Sequence, residues 1–136
     1  MTQMATTRAR GTLGEDFACA CLQKDGYEIL ERNWRNGHHE IDLIVKRGDV
    51  VAFVEVKTRA EGSFATPAES VTKAQRRRIV LAAVAYLKSH GIYNTGAVLP
   101  RFDLFEVVTG RPDSPEIVRY AHLPAAYDTG DLDVFL

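Results

Sequence analysis

Apolar and polar positions change period several times along the chain, and each change marks an element. From about residue 13 to 25, Leu13, Phe17, Ala20, Cys21 and Lys24 recur at spacings of three and four, the period of a helix face. Gly26 supplies the stop. YEILERNWR (Tyr27 to Arg35) reads as a strand and NGHH as a turn. Two more strands follow, at about 39–46 and 50–58, joined across KRGD. AEGSFATP is a loop. Thr66 to Glu69 (T-x-x-E) and Thr72 to Gln75 (T-x-x-Q) are both capping-box patterns. The second is taken as the main helix start, with room for a helical turn before it. This helix is expected to run to about His90 and stop at Gly91. Its first turns are basic, whereas IVLAAVAYL (Ile79 to Leu87) is apolar on every face and so predicts burial all round. RFDLFEVV (Arg101 to Val108) reads as a strand, RPDSP as a turn and EIVRYA as a last strand. The order α-β-β-β-α-β-β predicts an α/β domain, one sheet flanked by helices. Residues 1–12 read as a flexible N-terminal arm and 13–136 as a single domain.

The central hairpin breaks its own apolar pattern. Side chains in a strand alternate faces, so Glu40, Asp42 and Ile44 share one side, and Val51, Phe53, Glu55 and Lys57 share one side of the next strand. A two-residue turn at Arg47–Gly48 would pair Asp42 with Phe53. One at Gly48–Asp49 would pair Asp42 with Glu55. Both registers bring Asp42, Glu55 and Lys57 to one face, as direct or diagonal neighbours; a three-residue loop would split them. Several acids on one half-buried face repel each other, and one lysine does not balance them. A hard divalent cation, Mg²⁺ or Mn²⁺, answers the imbalance, because such ions take one or two carboxylates and keep other positions for water and phosphate. Against this stands the ordinary reading, in which Glu-x-Lys is a pair of solvated surface charges.

Composition narrows the setting. The chain has 136 residues, 46% hydrophobic and 26% charged, with a formal net charge of −1. That is ordinary for one globular domain, and a nucleic-acid partner would need a local basic patch. No apolar run is long enough to span a membrane. The first residues carry arginines without an apolar segment behind them, unlike a secretory signal. Cys19 and Cys21 are too few for a zinc site and badly placed for a disulfide. Free thiols and a cytoplasmic location are expected.

The ordered blocks LGEDFA (Leu13 to Ala18), RNWR (Arg32 to Arg35), EIDLI (Glu40 to Ile44), FVEVKTR (Phe53 to Arg59) and RFD (Arg101 to Asp103) resemble the YraN-like family. That family is similar to archaeal-type Holliday junction resolvases of the PD-(D/E)xK nuclease superfamily. The resemblance spans roughly residues 11 to 108. It implies a restriction-endonuclease-like fold, with a mixed central sheet and helices on both faces. It also implies Asp42, Glu55 and the carbonyl of Val56 as metal ligands, Lys57 as the residue that activates water or stabilises charge, and Glu15 as the helix acid completing the site. Glu40 has a place in the family's G-E-x-D pattern, where this chain departs by carrying His39 for the glycine. Arg76 stands where the family often has lysine.

Lys73, Arg76 and Arg77 share a helix face at spacings of three and four, near a helix N-terminus that favours phosphate. With Arg35, they are the candidate nucleic-acid contacts. Trp34 reads as a core residue or a base-stacking platform, Arg101 and Asp103 as a pair ordering the sheet, and His90 as a helix-end residue. No Ser/His/Asp order or P-loop glycine pattern is present. The expectation is a Mg²⁺- or Mn²⁺-dependent endonuclease acting on DNA, branched or recombination intermediates among its substrates, with a homodimer left open. The alternatives are a nucleic-acid-binding or adaptor module with a relic site, and a structural charge cluster.

Overall fold

The computed structural model describes residues 7–62, 71–110, 116–130, 132 and 134, with side chains from residue 12 onward. The elements follow the order α1 (Thr7–Lys24), β1 (Glu28–Asn36), β2 (His39–Arg47), β3 (Val50–Ala60), α2 (Lys73–Ser89), β4 (Leu99–Thr109) and β5 (Ile117–Tyr127). This is the expected α-β-β-β-α-β-β order. The Thr66–Glu69 capping pattern and the RPDSP turn lie outside the described residues. So do residues 1–6 of the expected arm, while α1 begins at Thr7, six positions ahead of the helix start read from the pattern.

One five-stranded sheet runs β1-β2-β3-β4-β5 in spatial order. Its pairs are antiparallel except β3 with β4. The parallel pair needs a crossover connection, and α2 provides it. Thr72 accepts from the Gln75 amide and Gln75 Oε1 accepts from the Thr72 amide, both at 3.1 Å. The T-x-x-Q pattern is therefore the real start of α2.

Alternation along the strands makes two cores. Ile44, Val51, Phe53, Phe102 and Leu104 pack with Ile79, Val80, Ala83 and Leu87 of α2. Leu43, Val45, Ala52, Val54, Phe105 and Val107 pack with Ala18, Cys19 and Leu22 of α1 on the opposite face. The two helices thus clamp a mixed sheet, as the restriction-endonuclease-like resemblance implied. Cys19 is buried and Cys21 half-buried, both free thiols. No helix among the described residues is long and apolar enough to cross a membrane.

The buried seam of α1 differs from the pattern reading. Gly14, Ala18, Cys19 and Leu22 are buried, while Leu13, Ala20 and Lys24 are exposed. The reason is close approach: a Cβ on Gly14 would collide with Thr58 Oγ1 of β3. Small residues let the helix sit low on the sheet, which turns Leu13 outward. Gly14→Ala should overpack this contact and destabilise the fold by about 1–3 kcal/mol. Combining it with Thr58→Ala should recover much of the loss, because the clashing hydroxyl is gone. Simple additivity of the two changes in urea melts would contradict this account.

A candidate carboxylate site where two strands part

The hairpin turns at Gly48–Asp49. Arg47 pairs with Val50, Val45 with Ala52 and Leu43 with Val54. This is the second of the two registers, the one that directs Asp42 toward Glu55. The paired ladder ends at Leu43 and Val54, just before both acids. Beyond it the Asp42 side chain fills the place of a ladder partner, with Oδ2 accepting from the Val56 amide at 2.8 Å. On the other flank, Arg32 pairs with Leu43 and Trp34 with Ile41. Between them Asn33 has a left-handed φ of 51°, a conformation that Asn tolerates better than most residues. Asn33 Nδ2 donates to Glu15 Oε2 at 3.3 Å.

Asp42 and Glu55 are half-buried carboxyls, both raised in proton affinity by burial. Burial pushes Asp42 up to about 7, and the charge of Glu55 adds to the rise, against the Val56 hydrogen bond. Burial likewise raises Glu55, with the charge of Lys57 opposing it. Lys57 Nζ lies 3.4 Å from Glu55 Oε1. Glu15 reaches the same region from α1. Its carboxyl is raised by burial and then by the charge of Asp42, while Asn33 and Arg32 pull it back. Four of the residues singled out in the sequence, Asp42, Glu55, Lys57 and Glu15, therefore interact electrostatically as a chain.

A cavity of about 430 Å³ opens on the carboxyls, lined by His38, Glu40, Asp42, Glu55, Gln75, Arg78 and Ile79. Gln75, Arg78 and His38 were not read as site residues. Nothing in the basic run RRR distinguishes Arg78 from its neighbours; only the rotation of α2 on the sheet does. The expected stripe of Lys73, Arg76 and Arg77 lines a different cavity, against β5. Arg35 Nη2 pairs with Glu40 Oε2 at 3.5 Å on the rim. His39 has a buried Nδ1 without a partner among the described residues, but it is His38 that faces the cavity.

Other candidates prove structural. Trp34 packs on Tyr86 in the α2-side core. Arg101 grips the fully buried Asp103 with two hydrogen bonds of 2.8 Å. His122 and the Ala125 amide complete the shell of Asp103. Burial alone would raise Asp103, but these hydrogen bonds hold it below the usual carboxylate range. His90 caps α2.

The description "Uncharacterised protein family UPF0102" matches residues 14–107, a segment containing every element that builds this site. The chain belongs to the UPF0102 family. A UPF0102 protein of Rhodococcus jostii is 42% identical over 114 residues, covering 84% of this chain and 94% of that protein. One from Chloroherpeton thalassium is 43% identical over 105 residues, 77% of this chain and 79% of its own length. One from Myxococcus xanthus is 36% identical over 126 residues, 93% and 94% respectively. The five sequence blocks thus pointed to the right family, and the UPF0102 match ends within β4, leaving β5 outside it.

As to what the UPF0102 site can hold, no group of three or more His, Cys, Asp or Glu side chains among the described residues is gathered closely enough to grip a metal by itself. The fit is instead to an ion that needs few protein ligands. Asp42 and Glu55 are hard oxygen donors held together at a cost in proton affinity. Main-chain N–H and C=O of one strand residue point to the same neighbour, so the Val56 carbonyl faces the gap that its amide shares with Asp42. Two carboxylates, a carbonyl and water suit Mg²⁺ or Mn²⁺.

Proposed function

We propose that this UPF0102 protein is a metal-dependent DNA endonuclease. The observation that carries the reading is the meeting of Asp42 and Glu55 where β2 and β3 part, with the Val56 backbone between them and Lys57 alongside. Asp42, Glu55 and the Val56 carbonyl would hold Mg²⁺ or Mn²⁺. When bound, such an ion polarises a phosphoryl oxygen and lowers the pKa of a coordinated water. Lys57, anchored by Glu55, is placed to orient the attacking water or take up charge on the phosphate. Glu15, tethered by Asn33, supplies a further carboxylate on the α1 side. Arg78 offers a cation to the phosphate across the cavity, while Gln75 stays in place through its capping hydrogen bonds.

The decisive experiment incubates the protein with labelled single-stranded, duplex, flap and four-way DNA, with Mg²⁺, with Mn²⁺ and with chelator. Cutting of at least one substrate, dependent on metal, is expected. Binding without cutting under any metal would instead assign the domain to the catalytically silent adaptor reading.

Salt dependence separates the two basic groups on α2. Arg78→Ala should lower the slope of log K against log salt by about 0.9, the value of one duplex phosphate contact. The combined Lys73→Ala, Arg76→Ala, Arg77→Ala change should lower it by roughly 2 to 3. A slope untouched by either change would take α2 off the binding surface.

A further inference from the structure

The cavity on the far side of α2 is larger than the carboxylate cavity, about 730 Å³. It lies between the first turns of α2 and the end of β5, and Lys73, Arg76, Arg77, Tyr127 and Asp128 are among its lining residues. Lys73 and Arg77 are exposed, and no acid among the described residues pairs with them. The Arg76 guanidinium sits over the Tyr127 ring, 5.4 Å from its centroid, and Phe102 stacks on the same ring at 5.4 Å and 18°. The result is a stack of phenyl, phenol and guanidinium, of which Arg76 and Tyr127 line the cavity. The Tyr127 hydroxyl oxygen is buried and has no hydrogen-bond partner among the described residues. A buried polar atom left so is costly unless something else satisfies it.

The charges of both the carboxylate site and the basic group reach Tyr127. Burial and then the charge of Glu55 raise its hydroxyl pKa, while Arg76 lowers it. It therefore stands within electrostatic range of the carboxylate site on one side and of the basic wall on the other.

We infer that this second cavity receives an unpaired nucleotide of the DNA strand. Lys73 and Arg77 take its phosphate, the Arg76 guanidinium plane, backed by Tyr127, takes the flat face of the base, and the Asp128 carboxylate offers polar contacts to the base or sugar. The chemistry favours this over continuous duplex. A volume of this size accepts a drug-sized ligand, which a nucleotide is. A base stacked within a helix cannot leave its neighbours to enter without being unpaired. Unpaired bases are held on aromatic and guanidinium planes, with basic side chains on the backbone. The consequence for cutting rests on the nuclease reading: the substrate class is DNA with a single-stranded segment beside the scissile phosphate. The binding claim does not depend on turnover.

The test is therefore made without metal, so that no cutting occurs. Fluorescence anisotropy compares a blunt duplex with a duplex of equal length carrying a short flap, for the whole protein. The flap should bind about tenfold tighter, the scale of one good base-stacking contact. Lys73→Ala with Arg77→Ala, both exposed positions, should bring the two DNAs to within about twofold of each other. Arg76→Lys keeps the charge but removes the guanidinium plane, and should reduce flap affinity more than affinity for the blunt duplex. Placing 5-iodouracil in the flap should crosslink it to the peptide carrying Tyr127 or to α2. Equal affinity for both DNAs, a flap preference that survives the double change, or crosslinks mapping elsewhere would overturn the inference. Failure of metal-dependent cutting on every substrate, with flap binding intact, would sink only the nuclease reading. Cutting of blunt duplex as efficient as that of flap DNA, with no flap preference in binding, would sink only this one.

Discussion

Asp42→Asn, Glu55→Gln and Lys57→Ala should each reduce metal-dependent cleavage by at least about 10²- to 10³-fold, the usual cost of removing one preorganised electrostatic group. The mechanisms of loss differ. Asp42→Asn keeps an oxygen for the Val56 amide, which now donates to Asp42 Oδ2 at 2.8 Å, so the backbone should stay in place while a metal-binding charge disappears. Glu55→Gln removes a charge and also weakens the anchor of Lys57, whose ammonium lies 3.4 Å from Glu55 Oε1. Lys57→Ala keeps both proposed carboxylate ligands, though Glu55 loses its partner cation, and should lower turnover more than metal affinity. Because these groups act as a unit, double changes should cost little more than the worst single one. Glu15→Gln should have a smaller effect, since its carboxyl is tethered through Asn33 at 3.3 Å and reaches Asp42 only electrostatically. Cleavage that survives all three central changes would place the activity elsewhere.

The second large effect is on stability and needs no substrate. Asp42 is raised from 3.8 to about 7 by burial and by Glu55. A carboxyl that is harder to ionise in the folded state binds more protons there than in the unfolded chain, between those two values. Stability from this group is therefore full below about pH 4 and is lost as pH rises toward 7. At about 1.4 kcal/mol per pH unit, the metal-free parent stands to lose on the order of a few kcal/mol across that window. Asp42→Asn has no charge to bury, so metal-free it should match or exceed the parent at pH 8. Mg²⁺ or Mn²⁺ should stabilise the parent, by about 2.7 kcal/mol at a hundredfold excess over Kd, and increasingly so above pH 7, where protons no longer compete. The variant should lose most of that response. Thermal melts at low salt, across pH and with or without metal, give the answer. A large metal-free loss in Asp42→Asn, beside a parent indifferent to metal, would make the pair a structural hairpin feature, since breaking a satisfied buried pair costs about 3–5 kcal/mol.

Much of this architecture was legible in the chain because it depends on short-range rules. Alternation placed Asp42, Glu55 and Lys57 together under either two-residue turn, and the observed Gly48–Asp49 turn simply selected one. The T-x-x-Q box located the start of α2 because both of its hydrogen bonds are local. Two features depended on packing. The seam of α1 follows from how closely Gly14 lets the helix approach Thr58, a contact between residues far apart in sequence. The rotation of α2 decides which cations meet the carboxyls. A segment apolar on nearly every side names no preferred face, so periodicity left the roll of the helix undetermined. Only the fit of Ile79, Val80, Ala83 and Leu87 into the sheet turns Arg78 toward Asp42 and Glu55 and sends Lys73, Arg76 and Arg77 to the cavity against β5.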